Sequence, residues 1–211
     1  MFKKVILHLF VCSLSVSALS AQKFYHTIDT VAQQAWADSV FQSLSPEERI
    51  GQLFMVAAYS NRDQKHVEEI RGLIEEYNIG GLIFFQGGPY RQAKLSNEYQ
   101  ALAKVPLAVA MDAEWGVGML LDSVYDFPKQ MTLGAIRDRK WIYEMGKEVA
   151  NQFKIMNMHI NFAPVVDVNV NPKNPVIGYR SFGETKEEVA LRGIEYMKGL
   201  QHHGIMANAK H

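Results

Sequence analysis

Short apolar runs alternate with amphipathic helical stretches along most of this chain, and this alternation constrains its fold more than any other feature. The first run, "GQLFMVAAY", has the length and continuity of a strand that is buried on both faces. Four more runs predict further strands: "IGGLIFF", "PLAVAMD", "HINFAPVVDV" and "IMANAKH". Buried strands that alternate with helices pair in parallel through crossover connections. The sequence therefore predicts an α/β fold with a parallel sheet.

Helices between these runs are predicted from apolar residues that recur every three or four positions. One set is Val67, Ile70, Leu73, Ile74 and Tyr77, and another is Ile142, Met145, Val149, Phe153 and Met156. The polar segment from Arg91 to Lys104 predicts a further helix between the second and third strands.

Helix-start signals precede the first and the last helix of this pattern. Ser45, Pro46 and Glu48 have the spacing of an N-cap, a first helical residue and the end of a capping box. Thr185 with Glu188 repeats the capping pattern before the last helix. We therefore expect the repeating unit to begin near Ser45.

The placement of polar residues favours a (β/α)8 barrel of the TIM type over a Rossmann-like sheet. The strand-to-helix turns lack a glycine-rich pattern for phosphate binding. Instead, the apolar strand cores are followed by Asp112, Asp167, Lys210 and His211, at the end where such a barrel carries its active site. A complete barrel needs about 250 residues, so we expect residues 45–211 to form an incomplete one, with about the first five strands.

Residues 1–21 have the composition of a signal peptide for export. Lys3 and Lys4 precede an apolar run that is too short to span a bilayer, and small residues follow it. An N-terminal membrane anchor is the alternative. We expect a signal peptide at residues 1–21, a lead-in at 22–44 and the barrel segment at 45–211. The mature protein would be periplasmic or extracellular, with no membrane association after cleavage.

Charge and cysteine content argue against several other classes of function. The formal net charge is +0 at pH 7, so nothing predicts electrostatic binding of nucleic acid or anionic lipid. Cys12 is the single cysteine and lies in the predicted signal peptide, so the mature chain would have no disulfide and no thiol chemistry. The histidines lack a zinc-site spacing, and His202 and His203 are expected to be solvated at a helix end. We expect neither a metal nor a cofactor.

Asp112 is the first candidate functional residue, because it follows an apolar strand and precedes "AEWGVG". A carboxylate in this position can accept hydrogen bonds from a polyol, bind a metal ion or act as a base. It can also be an N-cap or an ordinary loop residue. Trp115 beside it can stack on a sugar face or pack inside the barrel.

Arg180 lies in a long loop whose asparagine, proline and glycine residues specify many fixed turns. Long irregular loops in compact domains are usually functional, and a guanidinium is a rigid fork of donors. We expect Arg180 to lie over the barrel mouth rather than to pair with Glu184 at the surface. Lys210 and His211, at the end of the fifth strand, offer two donors that suit the hydroxyls of a carbohydrate.

The segment "FAPVVDVNVNPKNPVIGYRSFGE", with "MDAEWG" before it and "AKH" after it, resembles glycoside hydrolase family 3. More narrowly, it is similar to the bacterial β-N-acetylhexosaminidase branch, because β-glucosidases of the family usually differ there. "SPEERIGQLFMV" resembles the family's opening, so the similarity runs from about Ser45 to His211. The resemblance implies a (β/α)8 barrel that hydrolyses terminal N-acetyl-β-glucosaminides, often in peptidoglycan turnover. Cleavage would proceed with retention through a covalent glycosyl-enzyme.

By position, the resemblance assigns substrate binding to Asp112, Arg180, Lys210 and His211. Leu120 stands where many members of the branch carry an arginine, so one sugar contact is lost or supplied from elsewhere. The family's nucleophilic aspartate, and its acid/base histidine with a partner aspartate, are expected beyond residue 211. We therefore expect no catalytic residue within this chain and no turnover by residues 1–211 alone.

Three other functions remain open at the level of sequence. A β-glucosidase of the same family would share the barrel and most of the site. A non-catalytic carbohydrate-binding fragment would bind a sugar without hydrolysing it. A barrel aldolase would use Lys210 as a Schiff-base amine, but it would leave the Arg180 loop without a role.

Overall fold

The computed structural model describes residues 30–211, so the predicted signal peptide lies outside the described residues. The chain divides into two compact units, one that ends at Ser45 and one that spans Pro46–His211. In the first unit, helix α1 (Thr30–Ser43) has no buried residue. Among residues 30–211, no helix has both the length and the apolarity that a bilayer crossing requires.

The second unit alternates strands with helices, as the sequence predicts. Its strands are β1 (Met55–Ala58), β2 (Gly81–Phe84), β3 (Ala108–Met111), β4 (Ile160–Asn161) and β5 (Met206–Ala207). Its helices are α2 (Pro46–Gly51), α3 (Gln64–Tyr77), α4 (Pro89–Leu102), α5 (Gln130–Gly134), α6 (Lys140–Ile155) and α7 (Lys186–Gln201). Two short 3₁₀ helices, Val117–Met119 and Gly178–Arg180, lie in the loops after β3 and β4.

The five strands form one parallel sheet in chain order. Gly81 lies opposite Met55 on one side and Ala108 on the other, and Ile160 lies opposite Ala110 and Met206. The predicted parallel α/β fold is therefore confirmed. Within the described residues the sheet is open, because β1 and β5 each have a single strand neighbour.

The apolar faces of the helices pack on the sheet and form the core. In α3 the Asp63 side chain accepts a hydrogen bond from the His66 amide at 3.2 Å, and Ile70 and Ile74 are buried. Asn78 ends this helix in the left-handed conformation, with φ of 49°. The core includes Phe84, Val109, Met111, Tyr99, Phe153 and Tyr196, all of them buried. The predicted helical spacing is therefore confirmed by the core, except at Tyr77, which is 54% exposed.

Helices α6 and α7 approach each other closely because both carry a glycine at the contact. A Cβ atom at Gly146 would lie 2.5 Å from the Tyr196 carbonyl oxygen, and one at Gly199 would lie 2.3 Å from that of Tyr143. Both distances are far shorter than any real carbon–oxygen contact of this kind. These two glycines therefore set the spacing that brings α7 onto the sheet beside β4 and β5.

Some local predictions were wrong. Strand β1 is not buried on both faces, since three of its four residues are half-exposed, and Leu53 and Phe54 before it are exposed. Within the described residues β1 lies at the edge of the open sheet, with a strand neighbour on one side only. The fourth and fifth strands have two residues each. Pro164 lacks an amide donor and interrupts the ladder soon after β4. Thr185 occupies the predicted N-cap position but makes no side-chain cap, and α5 was not predicted.

Candidate functional site

Six ionisable side chains meet where β3, β4 and β5 end. Three are acidic and three are basic, and we refer to them as the charge network: Asp112, Glu114, Asp167, Arg180, Lys210 and His211. Because the carboxyl ends of parallel strands lie at one edge of the sheet, residues nearly 100 positions apart in sequence become neighbours. All four residues predicted to bind substrate belong to this network.

Glu114 lies at the centre of the network and was not predicted from the sequence. Its side chain is 0% exposed, and its two carboxylate oxygens accept hydrogen bonds from Arg180 Nε at 3.0 Å and Nη2 at 2.7 Å. Lys210 Nζ lies 3.0 Å from Oε1 of the same carboxylate. Burial raises the pKa of Glu114, but the hydrogen bonds and charges of Arg180 and Lys210 outweigh it, so that the pKa lies below its ordinary value. The buried group is therefore a carboxylate rather than a neutral acid.

One sequence signal could have identified Glu114. It lies two residues after Asp112, and residues two apart on an extended segment point to the same side. The backbone between them is held by buried groups. The Asn161 side chain exchanges two hydrogen bonds with the Ala113 backbone, both at 3.1 Å, and the Tyr196 hydroxyl donates to the Ala113 carbonyl at 3.2 Å. This clamp fixes the directions of both acidic side chains.

Lys210 joins Asp112 to Glu114. Its ammonium donates to Asp112 Oδ1 and lies beside Glu114. The Lys210 backbone pairs with the segment after β4, through bonds to the Pro164 carbonyl at 3.0 Å and from the Val166 amide at 2.6 Å. The Asp112 carboxylate therefore has a cationic partner, Lys210. It is part of a charged cluster rather than an ordinary loop residue, which the sequence had left open.

His211 joins Asp167 to Arg180. Its Nδ1 lies 2.7 Å from Asp167 Oδ2, and its backbone amide donates to the same oxygen at 3.1 Å. The other ring nitrogen, Nε2, lies 3.3 Å from Arg180 Nη2. Since a guanidinium only donates, this contact is a hydrogen bond in the tautomer with an unprotonated Nε2. Burial raises the pKa of Asp167, but the hydrogen bonds and charge of His211 lower it below its ordinary value.

The long loop after β4 positions Arg180, as predicted from its turn-forming residues. Asn174 Oδ1 accepts hydrogen bonds from the amides of Val176 and Ile177, at 2.9 and 3.1 Å. The Ser181 hydroxyl donates to the carbonyl of Asp167 at 2.7 Å. The hydrogen bond with Glu114 raises the pKa of Arg180, against the opposing effect of burial. Arg180 pairs with Glu114 and not with Glu184.

Two aromatic rings and a lysine lie at the outer side of the network, and we call Trp115, Tyr179 and Lys129 the aromatic rim. The two rings meet edge to face, with centroids 6.3 Å apart and planes at 63°. Lys129 Nζ lies 4.0 Å from the Tyr179 centroid and 5.1 Å from that of Trp115. Tyr179 is exposed, whereas Trp115 is half-buried and packs against the core as well as against Tyr179.

Leu120 supplies no polar group to the site, because its side chain packs against the core. In the same segment Asp122 pairs with Arg91 at 2.6 Å, and Arg91 donates to the Ser60 carbonyl at 3.1 Å. The Asp122 amide in turn donates to the Gly87 carbonyl at 2.8 Å. Arg91 is therefore engaged with the loops that follow β1 and β3.

The chemistry of the network suits a ligand with several hydroxyl groups. Each hydroxyl can donate to a carboxylate and accept from a lysine or an arginine at once, and the network alternates these groups at hydrogen-bond distance. Hydrogen bonds to charged groups are about twice as strong as neutral ones. The site can therefore hold a polyol in one orientation.

Comparison with known proteins gives a consistent result. The model of the glycosyl hydrolase family 3 N-terminal domain matches residues 45–211. A "Beta-N-acetylglucosaminidase/beta-glucosidase" of Cellulomonas fimi is 26% identical over 177 residues, which are 84% of this chain and 31% of that protein. "Beta-hexosaminidase A" of Pseudoalteromonas piscicida is 31% identical over 156 residues, or 68% of this chain and 26% of that protein.

Among solved structures, a family 3 β-N-acetylglucosaminidase from Paenibacillus sp. str. FPU-7 has a TM-score of 0.71 and 37% sequence identity. The match covers 80% of this chain and 33% of that one. The chain thus spans between about a quarter and a third of the length of these three relatives.

Proposed function

The chain belongs to glycosyl hydrolase family 3, and on that premise we propose that it forms the sugar-binding part of a retaining glycosidase acting on terminal N-acetyl-β-glucosaminides. The observation that carries the proposal is the charge network at the carboxyl ends of β3 to β5. The names of the relatives from Cellulomonas fimi and Pseudoalteromonas piscicida support this substrate class.

In this proposal four residues of the network bind the hydroxyls of the terminal sugar. Asp112 accepts from a hydroxyl to which Lys210 donates, because the two side chains already lie in contact. Arg180 donates to another hydroxyl, and the exposed ring of His211, 3.3 Å from Arg180 Nη2, contacts the sugar beside it. The binding side chains hold one another before the sugar arrives, so little side-chain entropy is lost when the sugar binds.

Glu114 and Asp167 have a positioning role in the same proposal. Retaining hydrolysis needs a carboxylate nucleophile and an acid/base, which the resemblance implies are an aspartate and a histidine in this branch. Within residues 30–211, the carboxylates of the network are each engaged by a basic side chain. We assign them to binding and positioning, and we place the reacting groups in the part of the enzyme beyond residue 211.

The natural substrate is proposed to be an N-acetylglucosamine-containing glycan of the kind released in peptidoglycan turnover. Support comes from the predicted signal peptide at residues 1–21, which would deliver the enzyme to the periplasm or the outside. Such a substrate needs no cofactor, since the hydrolytic reaction consumes only water.

A β-glucosidase of the same family is the second candidate. It is favoured by one observation, the presence of a partly buried Leu120 against the core where the branch resemblance leads us to expect an arginine. The double name of the Cellulomonas fimi relative is in line with both activities. A carbohydrate-binding protein without hydrolytic activity is the remaining alternative.

The test is a side-by-side assay of the full-length gene product with aryl N-acetyl-β-glucosaminide and aryl β-glucoside. We expect faster release of the aryl group from the N-acetyl-β-glucosaminide. Cleavage of the β-glucoside alone would replace the proposal by the β-glucosidase. Binding of N-acetylglucosamine without cleavage of either substrate would favour the non-catalytic protein.

A further inference from the structure

Helix α6 carries an exposed tryptophan to which the proposed function gives no role. Trp141 lies in the first turn of this helix and is 58% exposed, whereas the apolar face of the helix packs on the core. A single exposed apolar side chain needs no explanation. Trp141, however, borders a groove of about 610 Å³, and clefts that hold small ligands have volumes of about 300–1,000 Å³.

The α6 groove, as we call it, lies between the exposed side of α6 and the end of the loop after β3. It is lined by one residue of the loop and five of the helix: Phe127, Lys140, Trp141, Glu144, Met145 and Glu148. None of them belongs to the charge network or to the aromatic rim. The groove is therefore a feature separate from the site to which we assign the terminal sugar.

The helix and the loop that form the groove are fixed to each other. Gln152 Oε1, further along α6, accepts a hydrogen bond from the Val117 amide at 3.2 Å. The Phe127 ring packs against the core, and its amide donates to the Trp115 carbonyl at 2.9 Å. Met145 is 7% exposed, so the groove rests on the core. A ligand would thus meet a surface that is already formed.

Two carboxylates lie on the same side of α6 as the indole ring. Glu144 and Glu148 follow Trp141 by three and seven positions, the spacing of one helix face. Glu144 Oε2 accepts from Lys147 at 3.3 Å, and Glu148 Oε2 accepts from Asn151 at 3.3 Å. In the part of the chain that the structure describes, the second oxygen of each carboxylate has no hydrogen-bond partner. Both carboxylates can therefore accept a hydrogen bond from a ligand.

The charges around the groove nearly cancel. Lys140 pairs with Asp138 at 3.4 Å and Lys147 with Glu144 at 3.3 Å, so that Glu148 adds one negative charge. Such a balance does not favour a polyanion. An aromatic face beside free acceptors suits a neutral pyranose ring, because its C–H groups can pack on the indole while its hydroxyls donate to the carboxylates.

We propose that the α6 groove is a second carbohydrate-binding site, which holds a neutral pyranose unit of a long glycan away from the bond that is cleaved. The inference rests on the proposed glycosidase function and adds a separate point of attachment for the substrate. Two linked contacts raise the effective concentration of the glycan at the active site. A short substrate, which fills only the active site, gains nothing from the groove.

The kinetic test compares long and short substrates of the full-length gene product. Trp141→Ala is expected to lower kcat/KM for a hexamer of β-1,4-linked N-acetylglucosamine about five-fold, the effect of losing one aromatic contact. It should leave kcat/KM unchanged for the disaccharide and for an aryl N-acetyl-β-glucosaminide, and Trp141→Phe should retain all three values. Trp36→Ala is the matched control, because Trp36 is a tryptophan of α1 that is 61% exposed and does not line the groove.

Two kinetic results would overturn the inference. If Trp141→Ala leaves hydrolysis of the hexamer unchanged, the groove does not hold the glycan. If it lowers kcat/KM equally for the hexamer, the disaccharide and the aryl glycoside, Trp141 supports the active site and there is no separate attachment.

A binding measurement separates failure of this inference from failure of the proposed function. The thio-linked disaccharide of N-acetylglucosamine, which resists hydrolysis, is titrated into the protein in a calorimeter, and the bound molecules are counted. We expect two sites in the unmodified protein and one in Trp141→Ala. A single site in the unmodified protein would contradict the inference even if the protein hydrolyses N-acetyl-β-glucosaminides. Loss of one of two sites in Trp141→Ala, in a protein that cleaves no glycoside, would support the groove and refute only the proposed reaction.

Discussion

Glu114 and Arg180 form a bidentate ion pair in which a fully buried carboxylate accepts from Nε at 3.0 Å and from Nη2 at 2.7 Å. The pair joins the loop after β3 to the long loop after β4, and Lys210 adds the segment after β5. One carboxylate thereby ties together three segments that are distant in sequence. This arrangement preorganises the donors that we assign to the sugar.

Glu114→Ala should destabilise the protein by about 3 kcal/mol, because removal of one partner leaves buried charges without compensation. The measurement is urea unfolding of the full-length protein followed by circular dichroism. Glu187→Ala is the matched control, since Glu187 is an exposed glutamate that pairs with an exposed lysine, and it should change the unfolding free energy by less than about 0.5 kcal/mol. Equal losses of unfolding free energy in the two variants would show that the Glu114–Arg180 pair stabilises the protein no more than an exposed ion pair does.

Arg180→Lys should lower kcat/KM for an aryl N-acetyl-β-glucosaminide about 100-fold. A lysine keeps the positive charge but cannot form the bidentate hydrogen bonds with Glu114. The donor that we assign to the sugar would therefore be displaced from its position. Steady-state kinetics of the full-length enzyme give the value. The exposed Arg137 provides the comparison, and Arg137→Lys should leave kcat/KM unchanged. Retained activity in Arg180→Lys would remove Arg180 from the binding site.

Much of the fold could be predicted because the spacing of apolar residues along the sequence indicates which of them face the core. The parallel pairing is confirmed, and the predicted (β/α)8 class is confirmed as an incomplete barrel by the family and by the open five-stranded sheet. The prediction that β1 is buried on both faces was wrong for the described residues. The apolar run containing Leu53 and Phe54 fits a central strand, yet these side chains are exposed beside an edge strand.

Most residues of the charge network could be predicted from the sequence, but the contacts between them could not. Asp112, Arg180, Lys210 and His211 could be selected from their positions after the strands. Glu114 was missed because its two-residue spacing from Asp112 is a weak signal, and its importance becomes clear only in the fold, which places Arg180 opposite it. Pairwise contacts across 66 positions are not encoded in local patterns.

Asp167 should make stability depend on pH in the acidic range. Hydrogen bonds from His211 outweigh burial and hold the folded-state pKa of Asp167 below its ordinary value of 3.8. A depressed carboxylate pKa contributes stability that is complete above 3.8 and is lost as the pH falls through the lower folded-state value. Asp167→Asn should therefore be less stable than the unmodified protein by about 1 kcal/mol at neutral pH, and the difference should shrink in acid.

The measurement for Asp167 is the unfolding free energy of both proteins between neutral and strongly acidic pH. A difference that stays constant, or that grows as the pH falls, would contradict the assigned direction of the pKa shift.

Gly146→Ala should destabilise the protein by about 2 kcal/mol, because the new methyl group would force α6 away from α7. Gly72→Ala is the matched control within another helix, where an added Cβ meets nothing within 4 Å. It should be neutral or stabilise by up to about 1 kcal/mol, since alanine favours helix more than glycine does. Thermal unfolding of the two variants checks the contrast, and a stabilising Gly146→Ala would rule out the close helix contact.

The most direct test of the sugar-binding account is a crystal structure of the full-length protein with N-acetylglucosamine bound. We expect hydroxyl oxygens of the sugar within hydrogen-bond distance of Asp112, Lys210 and Arg180, with Glu114 still paired to Arg180. A sugar bound at another surface, with the charge network unchanged and unoccupied, would contradict the account.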